Sequence, residues 1–132
     1  MPAIIVVGAQ WGDEGKGRIV DGLAGQAQLV ARYNGGDNAG HTVIAEGRKL
    51  QLHLIPSGVL HPQTACLIGS GVAINPERLL AELDNLAALG VDVGPERVKV
   101  AAAAHLILPT HRALDGAGEA ARGKEAIGTT QR

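Results

Sequence analysis

The chain has 132 residues, 45% of them apolar, and a formal net charge of −1. That length supports one domain burying roughly two-thirds of its unfolded surface, and the near-neutral charge excludes a broad basic field that would attract nucleic acid. The lone Cys66 excludes an internal disulfide, and no apolar run approaches the ~18 residues of a membrane span, so no membrane association and a cytoplasmic location are expected.

Aromatic residues are almost absent, with Trp11 and Tyr33 alone and no Phe, so the core must be aliphatic. Such a core suits an α/β protein with a mostly parallel sheet. In chain order, Ala3–Val7 reads as a buried first strand at the centre of that sheet. Gly12-Asp13-Glu14-Gly15-Lys16-Gly17 follows as a loop, then Lys16–Ala24 as a helix ended near Gly25. Leu29–Tyr33 reads as a second strand running into the polar loop Asn34-Gly35-Gly36-Asp37-Asn38-Ala39-Gly40-His41. Thr42–Ala45 and Lys49–Leu54 flank Glu46-Gly47-Arg48 as a hairpin, with Leu50, Leu52 and Leu54 alternating against Gln51 and His53. Thr64–Ile68 reads as a strand closed by Gly69-Ser70-Gly71. Asn75-Pro76 starts a helix, with Asn capping, Pro at the first position and Glu77 favouring the dipole. Leu79, Leu83 and Leu86 mark its inner face and Gly90 its end. Val98–Ala103 reads as a further strand, and Pro109 opens a helix, Thr110–Ala121, weakened by Gly116 and Gly118. The final Ala126-Ile127-Gly128-Thr129-Thr130-Gln131-Arg132 reads as a strand end entering another loop, so the chain is expected to stop in the middle of a fold.

Chemistry concentrates in the two glycine loops. Strand, glycine loop, helix is the order of a phosphate-binding loop, in which backbone N–H groups turn toward an anion at a helix N-terminus. The usual pattern is G-x-x-x-x-G-K-[ST]. Here Gly15-Lys16 matches, but Gln10 replaces the first glycine and Gly17 replaces the hydroxyl residue that holds magnesium. A carboxylate inside such a loop repels phosphate unless a metal or a proton transfer justifies Asp13. Both loops follow strands, so a parallel sheet would bring them to its carboxyl edge and place Asp13 near His41. With ordinary pKa values of about 3.9 and 6.5, one can accept a proton while the other donates. Lys16 is placed to reach a phosphate. His53, His61, His105 and His111 lack such context and read as structural or solvated, and their spacing gives no zinc pattern.

Four segments then carry a resemblance. Gln10 to Gly17, Gly35 to Thr42, His53-Leu54-Ile55-Pro56-Ser57-Gly58 and Ile127-Gly128-Thr129-Thr130 together resemble the adenylosuccinate synthetase family, in the family's order and over nearly the whole chain. The resemblance implies a P-loop-like fold and a ligase that joins IMP and L-aspartate, driven by GTP and Mg2+, through 6-phosphoryl-IMP on the route to AMP. It implies Asp13 as the general base on IMP N1 and a magnesium ligand, and His41 as the acid at the transferring phosphoryl group, with Lys16 assisting. It implies that Gly12, Asp13, Glu14, Gly15, Lys16, Gly17 and Arg18 hold GTP, closed by Gly40, His41 and Thr42. The Gly40 carbonyl would be a second magnesium ligand. IMP would meet Asp13, Glu14, Gly15, Lys16, Asn38, Ala39, Gly40, His41 and Thr129. Asp13 supplying the metal oxygen would also account for Gly17. Arg18 departs from the pattern, which has Lys there.

Residues 1–132 would then be the N-terminal part of one larger ligase domain. Guanine recognition, the arginine-rich aspartate loop and an arginine donated by the second subunit of a homodimer would lie outside them. Two other readings stay open on sequence grounds: a simple GTP-binding module without ligase chemistry, and a truncated, inactive piece of the enzyme. A Ser or Thr after Lys16 would favour the module; Gly17 speaks against it.

Overall fold

The structure is a computed structural model and describes residues 2–9, 15–38, 40–45 and 48–122. In chain order these form α1 (Lys16–Ala24), β1 (Leu29–Gly35), β2 (His41–Ala45), β3 (Arg48–Leu52), a 3-10 turn (Ser57–Leu60), β4 (Ala65–Ile74), α2 (Pro76–Ala88), β5 (Val98–Val100), β6 (His105–Leu106) and α3 (Pro109–Arg122). The main sheet is parallel throughout. β1 lies on one side of β4, β5 pairs with the first half of β4 and β6 with its end. β2 and β3 form a separate antiparallel hairpin, with His41 opposite Leu52. Mixed α/β architecture with a mainly parallel sheet and a hairpin is what the aliphatic, glycine-punctuated sequence predicts.

β4 holds the centre because it can be buried on its even face. Cys66, Ile68, Val72 and Ile74 are all at most 2% exposed. They divide between two clusters, one with Val43, Leu52, Ile55, Val59, Cys66 and Leu86, the other with Leu54, Ile68, Val72 and Ile74. Leu79 on α2 packs against both. Each fully buried Leu or Ile of this set contributes on the order of 2–3 kcal/mol.

Two expectations are corrected here. Residues 3–7 are not a buried strand: Ile4, Ile5 and Val7 are 68–78% exposed, and the segment has no regular structure. A strand exists through its ladder, and this run has no ladder partner among the described residues; an apolar sequence signals a demand for burial without supplying the partner. Gly69-Ser70-Gly71 does not close β4, which runs on to Ile74. Between Arg32 and Asn34 of β1 the register slips by one residue of β4, a bulge at these glycines. A side chain at Gly71 would collide with the Tyr33 carbonyl, so glycine is what lets the ladder continue.

Other elements follow their local signals. The Asn75 side chain accepts from the Glu77 N–H at 3.1 Å, with Pro76 at the first helical position. Gly90 closes α2 with φ +82°. The expected Val98–Ala103 strand shortens to Val98–Val100, and α3 runs from Pro109, the residue expected to open it, to Arg122. Among the described residues no helix is long and apolar enough to cross a membrane.

Candidate functional site

The site assembles where α1 meets the loop after β1. Gly15 is the N-cap of α1 and sits at φ +76°, ψ +15°, the left-handed region that glycine alone enters freely. A left-handed residue followed by helical ones turns successive N–H groups the same way and makes an anion-binding concavity. No acidic residue lies in the first turn of α1, while Lys16 and Arg18 do. Cations there oppose the helix dipole, each by about 0.3–1 kcal/mol. A bound anion reverses that sign. Residues 10–14, Ala39 and Thr129 lie outside the described residues, so the placements expected for Gly12, Asp13, Glu14, Ala39 and Thr129 do too.

Gly17 touches the second loop. A Cβ built on it would stand 2.9 Å from the His41 Cβ and 3.1 Å from the ring carbons Cγ and Cδ2. The His41 side chain therefore occupies the space that the usual hydroxyl residue would fill. This steric contact is a direct reason for glycine at position 17. The two glycine loops meet at this point, with His41 as the first residue of β2.

Gly40, the residue before His41, is backed by the His53 ring. A Cβ on Gly40 would lie 2.8 Å from His53 Cε1. The backbone of His53 is held from two directions. Glu82 of α2, 8% exposed, accepts from the His53 and Leu54 N–H groups at 2.9 Å and from the Ile55 N–H at 3.2 Å. Arg32 of β1 donates to the His53 carbonyl and, at 2.6 Å, to the Gly36 carbonyl. It thus ties the loop after β1 to the segment after β3. Arg32, Glu82 and His53 form this frame; sequence reading gave no role to Arg32 or Glu82 and only a structural or solvated one to His53. The available signal was a charged residue, Arg32, facing inward on a strand just before the glycine loop, and His53 at the head of the His53–Gly58 motif.

Burial holds the His41 imidazole below its ordinary value, and the Arg32 charge adds to this. Glu82 and Asp21 oppose the shift, and His53 reinforces it. The ring is thus neutral near pH 7 and can donate one N–H. An anion arriving beside it would favour the protonated form.

Around Asn38 two clefts open. One, of about 650 Å3, runs between the loop, Gln51, His53 and the α2 residues Arg78, Glu82 and Asn85. The other, about 770 Å3, lies at the carboxyl ends of β4 and β6, between Asn38, Asn75, Arg78 and Arg112. Asp37, 7% exposed, pairs with Arg78 Nε at 3.4 Å and shapes the wall between them. Of the predicted contacts, Gly15, Lys16, Gly17, Arg18, Asn38, Gly40, His41 and Thr42 are thus on α1 or on the stretch from Asn38 to the start of β2.

The comparisons with known proteins point one way. The sequence profile of the adenylosuccinate synthetase family matches residues 5–132. Adenylosuccinate synthetase of Desulfovibrio desulfuricans is 52% identical over 132 residues, all of this chain and 31% of that protein. That of Clostridium acetobutylicum is 55% identical over 130 residues, 98% of this chain and 30% of its own length. Among solved structures, the fully ligated adenylosuccinate synthetase of Plasmodium falciparum superposes with a TM-score of 0.83 at 38% identity, covering 95% of this chain and 29% of that one. The cyanophage S-2L succinoaminodeoxyadenylate synthetase, bound to dGMP and dATP, superposes with a TM-score of 0.65 at 30% identity, covering 83% and 30%. The chain therefore spans about 30% of the length of the relatives it matches. With the profile covering all but the first four residues and the same architecture in a solved member, the chain belongs to the adenylosuccinate synthetase family.

Proposed function

We propose that this chain is the N-terminal part of a larger, GTP-dependent ligase domain that joins IMP and L-aspartate into adenylosuccinate. The observation that carries the reading is the contact of Gly17 with His41, which sets a phosphate-loop helix against a loop bearing an acid-base side chain. Gly12, Asp13, Glu14, Gly15, Lys16, Gly17 and Arg18 would hold the GTP phosphates through backbone N–H groups and two cations, with Gly40, His41 and Thr42 closing the far side. Asp13, Glu14, Gly15, Lys16, Asn38, Ala39, Gly40, His41 and Thr129 would line the IMP side.

Asp13 accepts the N1 proton of IMP, which makes O6 nucleophilic. O6 takes the γ-phosphoryl group of GTP, GDP leaves, and 6-phosphoryl-IMP forms. His41 donates its N–H to the transferring phosphoryl oxygens, and Lys16 spreads the remaining charge. The amine of L-aspartate then attacks C6, expels phosphate and loses a proton. The expected metal donors, the Asp13 carboxylate and the Gly40 carbonyl, are all oxygen. That set suits magnesium, which keeps water and phosphate ligands and needs no all-protein cage. When held by Asp13 and the Gly40 carbonyl, Mg2+ would neutralise negative charge on the phosphates during transfer. Since His41 fills the space beside Gly17, no hydroxyl can serve the metal there, which supports Asp13 as its donor. The same point disfavours a simple nucleotide-switch module.

The partners on this reading are GTP, IMP, L-aspartate and a second copy of the enzyme, in the cytoplasm. The test is to incubate the full-length protein with IMP, L-aspartate, GTP and Mg2+ and follow adenylosuccinate by chromatography. Because a relative of this fold holds dGMP and dATP, parallel reactions replace IMP with dGMP and GTP with ATP. Adenylosuccinate formed only with IMP and GTP supports the reading; turnover only with the alternatives, or none, overturns it.

A further inference from the structure

The frame behind His41 is built from α2, an element that none of the phosphate or base contacts above includes. Glu82 is a buried carboxylate that spends its lone pairs on three consecutive backbone N–H groups, those of His53, Leu54 and Ile55. Charge-assisted bonds of this kind are about twice as strong as neutral ones. They fix a segment that would otherwise carry three unsatisfied donors inside the core, where Leu54 and Ile55 are 0% exposed. The consequence reaches His41 through Gly40. The His53 ring lies against the open side of Gly40, and the residue after Gly40 is His41. Arg32 fastens the same His53 carbonyl to Gly36, so both ends of the Gly36–His41 loop rest on one frame. The charged and titratable groups that bear on the imidazole are Arg32 from β1, Asp21 from α1, Glu82 from α2 and His53 from the segment after β3.

We propose that Glu82 is a positioning residue for His41, acting through the His53–Ile55 backbone and the His53 ring. This rests on the ligase reading for its kinetic consequence and on geometry alone for its structural one. Without the carboxylate, the His53 segment relaxes, Gly40 loses its backing and the imidazole drifts from its place beside Gly17. A displacement near 1 Å at an acid-base group costs up to ~10²-fold in turnover.

The experiment compares full-length wild type, Glu82→Gln and His53→Ala. It measures kcat, KM for GTP and the NOEs between the His41 ring and Gly17 by NMR. The two variants should lose roughly tenfold or more in kcat while KM for GTP stays within about threefold. In both variants the NOEs between the His41 ring and Gly17, which lie in contact in the wild type, should weaken or vanish. A residue that merely stabilised the core would lower the melting temperature and leave these unmoved. Folded Glu82→Gln with wild-type kcat overturns the proposal, as does one that keeps the His41–Gly17 NOEs. If Glu82→Gln does not fold, His53→Ala decides: wild-type kcat there overturns it, and a tenfold loss supports it. Should the wild type itself form no adenylosuccinate, the ligase reading has failed. The His41–Gly17 NOEs of the variants then still test the positioning claim, with NOEs equal to wild type overturning it.

Discussion

Two glycines of α1 offer an internal comparison. Gly22 is mid-helix and exposed, and a Cβ there would meet nothing within 4 Å. Gly22→Ala should therefore stabilise the protein by about 0.5–1 kcal/mol, the ordinary helix-propensity gain. Gly17→Ala has the same chemistry in the same helix, but its methyl would stand 2.9 Å from the His41 Cβ. Carbon atoms in contact prefer about 3.5–4.0 Å, so something must move by roughly 0.6–1 Å. Overpacking of that size costs about 1–3 kcal/mol, which exceeds the propensity gain. The propensity gain is common to both and cancels, so the two variants should differ by roughly 1–3 kcal/mol, a gap of roughly 3–15 °C in Tm for a domain of this size. Differential scanning calorimetry on each variant reads it. His41→Ala would keep the offending Cβ, so the second arm of a double-mutant cycle is His41→Gly. Gly17→Ala should cost at least 1 kcal/mol less in that background than in the wild type. Equal effects at positions 17 and 22, or an additive cycle, would show that His41 does not lie against Gly17.

Arg97→Lys should destabilise by about 2–4 kcal/mol in denaturant unfolding, because the guanidinium donates to the carbonyls of Val59, His61, Pro62 and Thr64 and an ammonium cannot span all four. Cys66 is fully buried, and its thiol is pushed from 9.0 up to about 11 by burial, with the Arg97 charge offsetting part of the shift. The unfolded chain thus gives up this proton first, and stability falls as pH rises from 9 to 11, by up to about 3 kcal/mol. Cys66→Ala should remove that alkaline loss, and thiol reagents should label the native protein only after denaturant is added. His41 has the opposite linkage: its lowered value means the unfolded state protonates first, so its contribution is present above pH ~6.5 and lost as the pH falls below it. In the full-length enzyme, Asp13→Asn should lower kcat by about 10²-fold or more with GTP binding retained, since an amide cannot accept the N1 proton; steady-state kinetics within tenfold of wild type would remove Asp13 from that role.

What the sequence made legible is local. Asn75-Pro76 announces α2 because cap and proline act within one turn, and Gly90 ends it for the same reason. The alternation of Leu50 and Leu52 placed the second arm of the hairpin. Its far end was misjudged, because Leu54 leaves the strand to enter the core beside Ile68. Positions that depend on a distant partner were not legible. Residues 3–7 look like a strand by composition, yet strand formation needs a neighbour that composition cannot name. Gly69-Ser70-Gly71 looks like a stop, yet the Tyr33 carbonyl opposite turns the same glycines into a requirement for continuing. Arg32 and Glu82 belong to the same class. Each is an ordinary charged residue in the sequence, and its role appears only when carbonyls or N–H groups from more than 20 residues away in sequence surround it.

The same logic gives the glycines near the site a second meaning. Read along the chain, Gly17, Gly25 and Gly40 are loop and helix-end residues chosen for backbone freedom. In the fold each faces an imidazole: Gly17 faces His41, Gly40 faces His53 at 2.8 Å, and Gly25 faces His61 at 3.2 Å from a built Cβ. His61 also reaches Asp21 of α1 at 3.6 Å, so the helix is gripped near both ends by rings from outside it. The grip at the C-terminal end is completed by the buried Thr64 hydroxyl, 2.9 Å from the carbonyls of Ala24 and Ala27. A phosphate loop must present its N–H groups at a fixed angle, and its helix transmits any tilt directly to the ligand. Glycine where a ring must approach lets α1 sit closer to β2 and the 3-10 turn than a side chain would permit. Replacing Gly25 with Ala should test this at the end remote from the site. The built Cβ there falls 3.2 Å from a ring atom of a partly exposed histidine that can move, so the stability loss should stay under about 1 kcal/mol. If α1 is held as described, GTP affinity of the full-length enzyme should nonetheless weaken measurably in Gly25→Ala. Affinity equal to wild type in a titration by calorimetry would show that the C-terminal grip on α1 has no bearing on the phosphate loop.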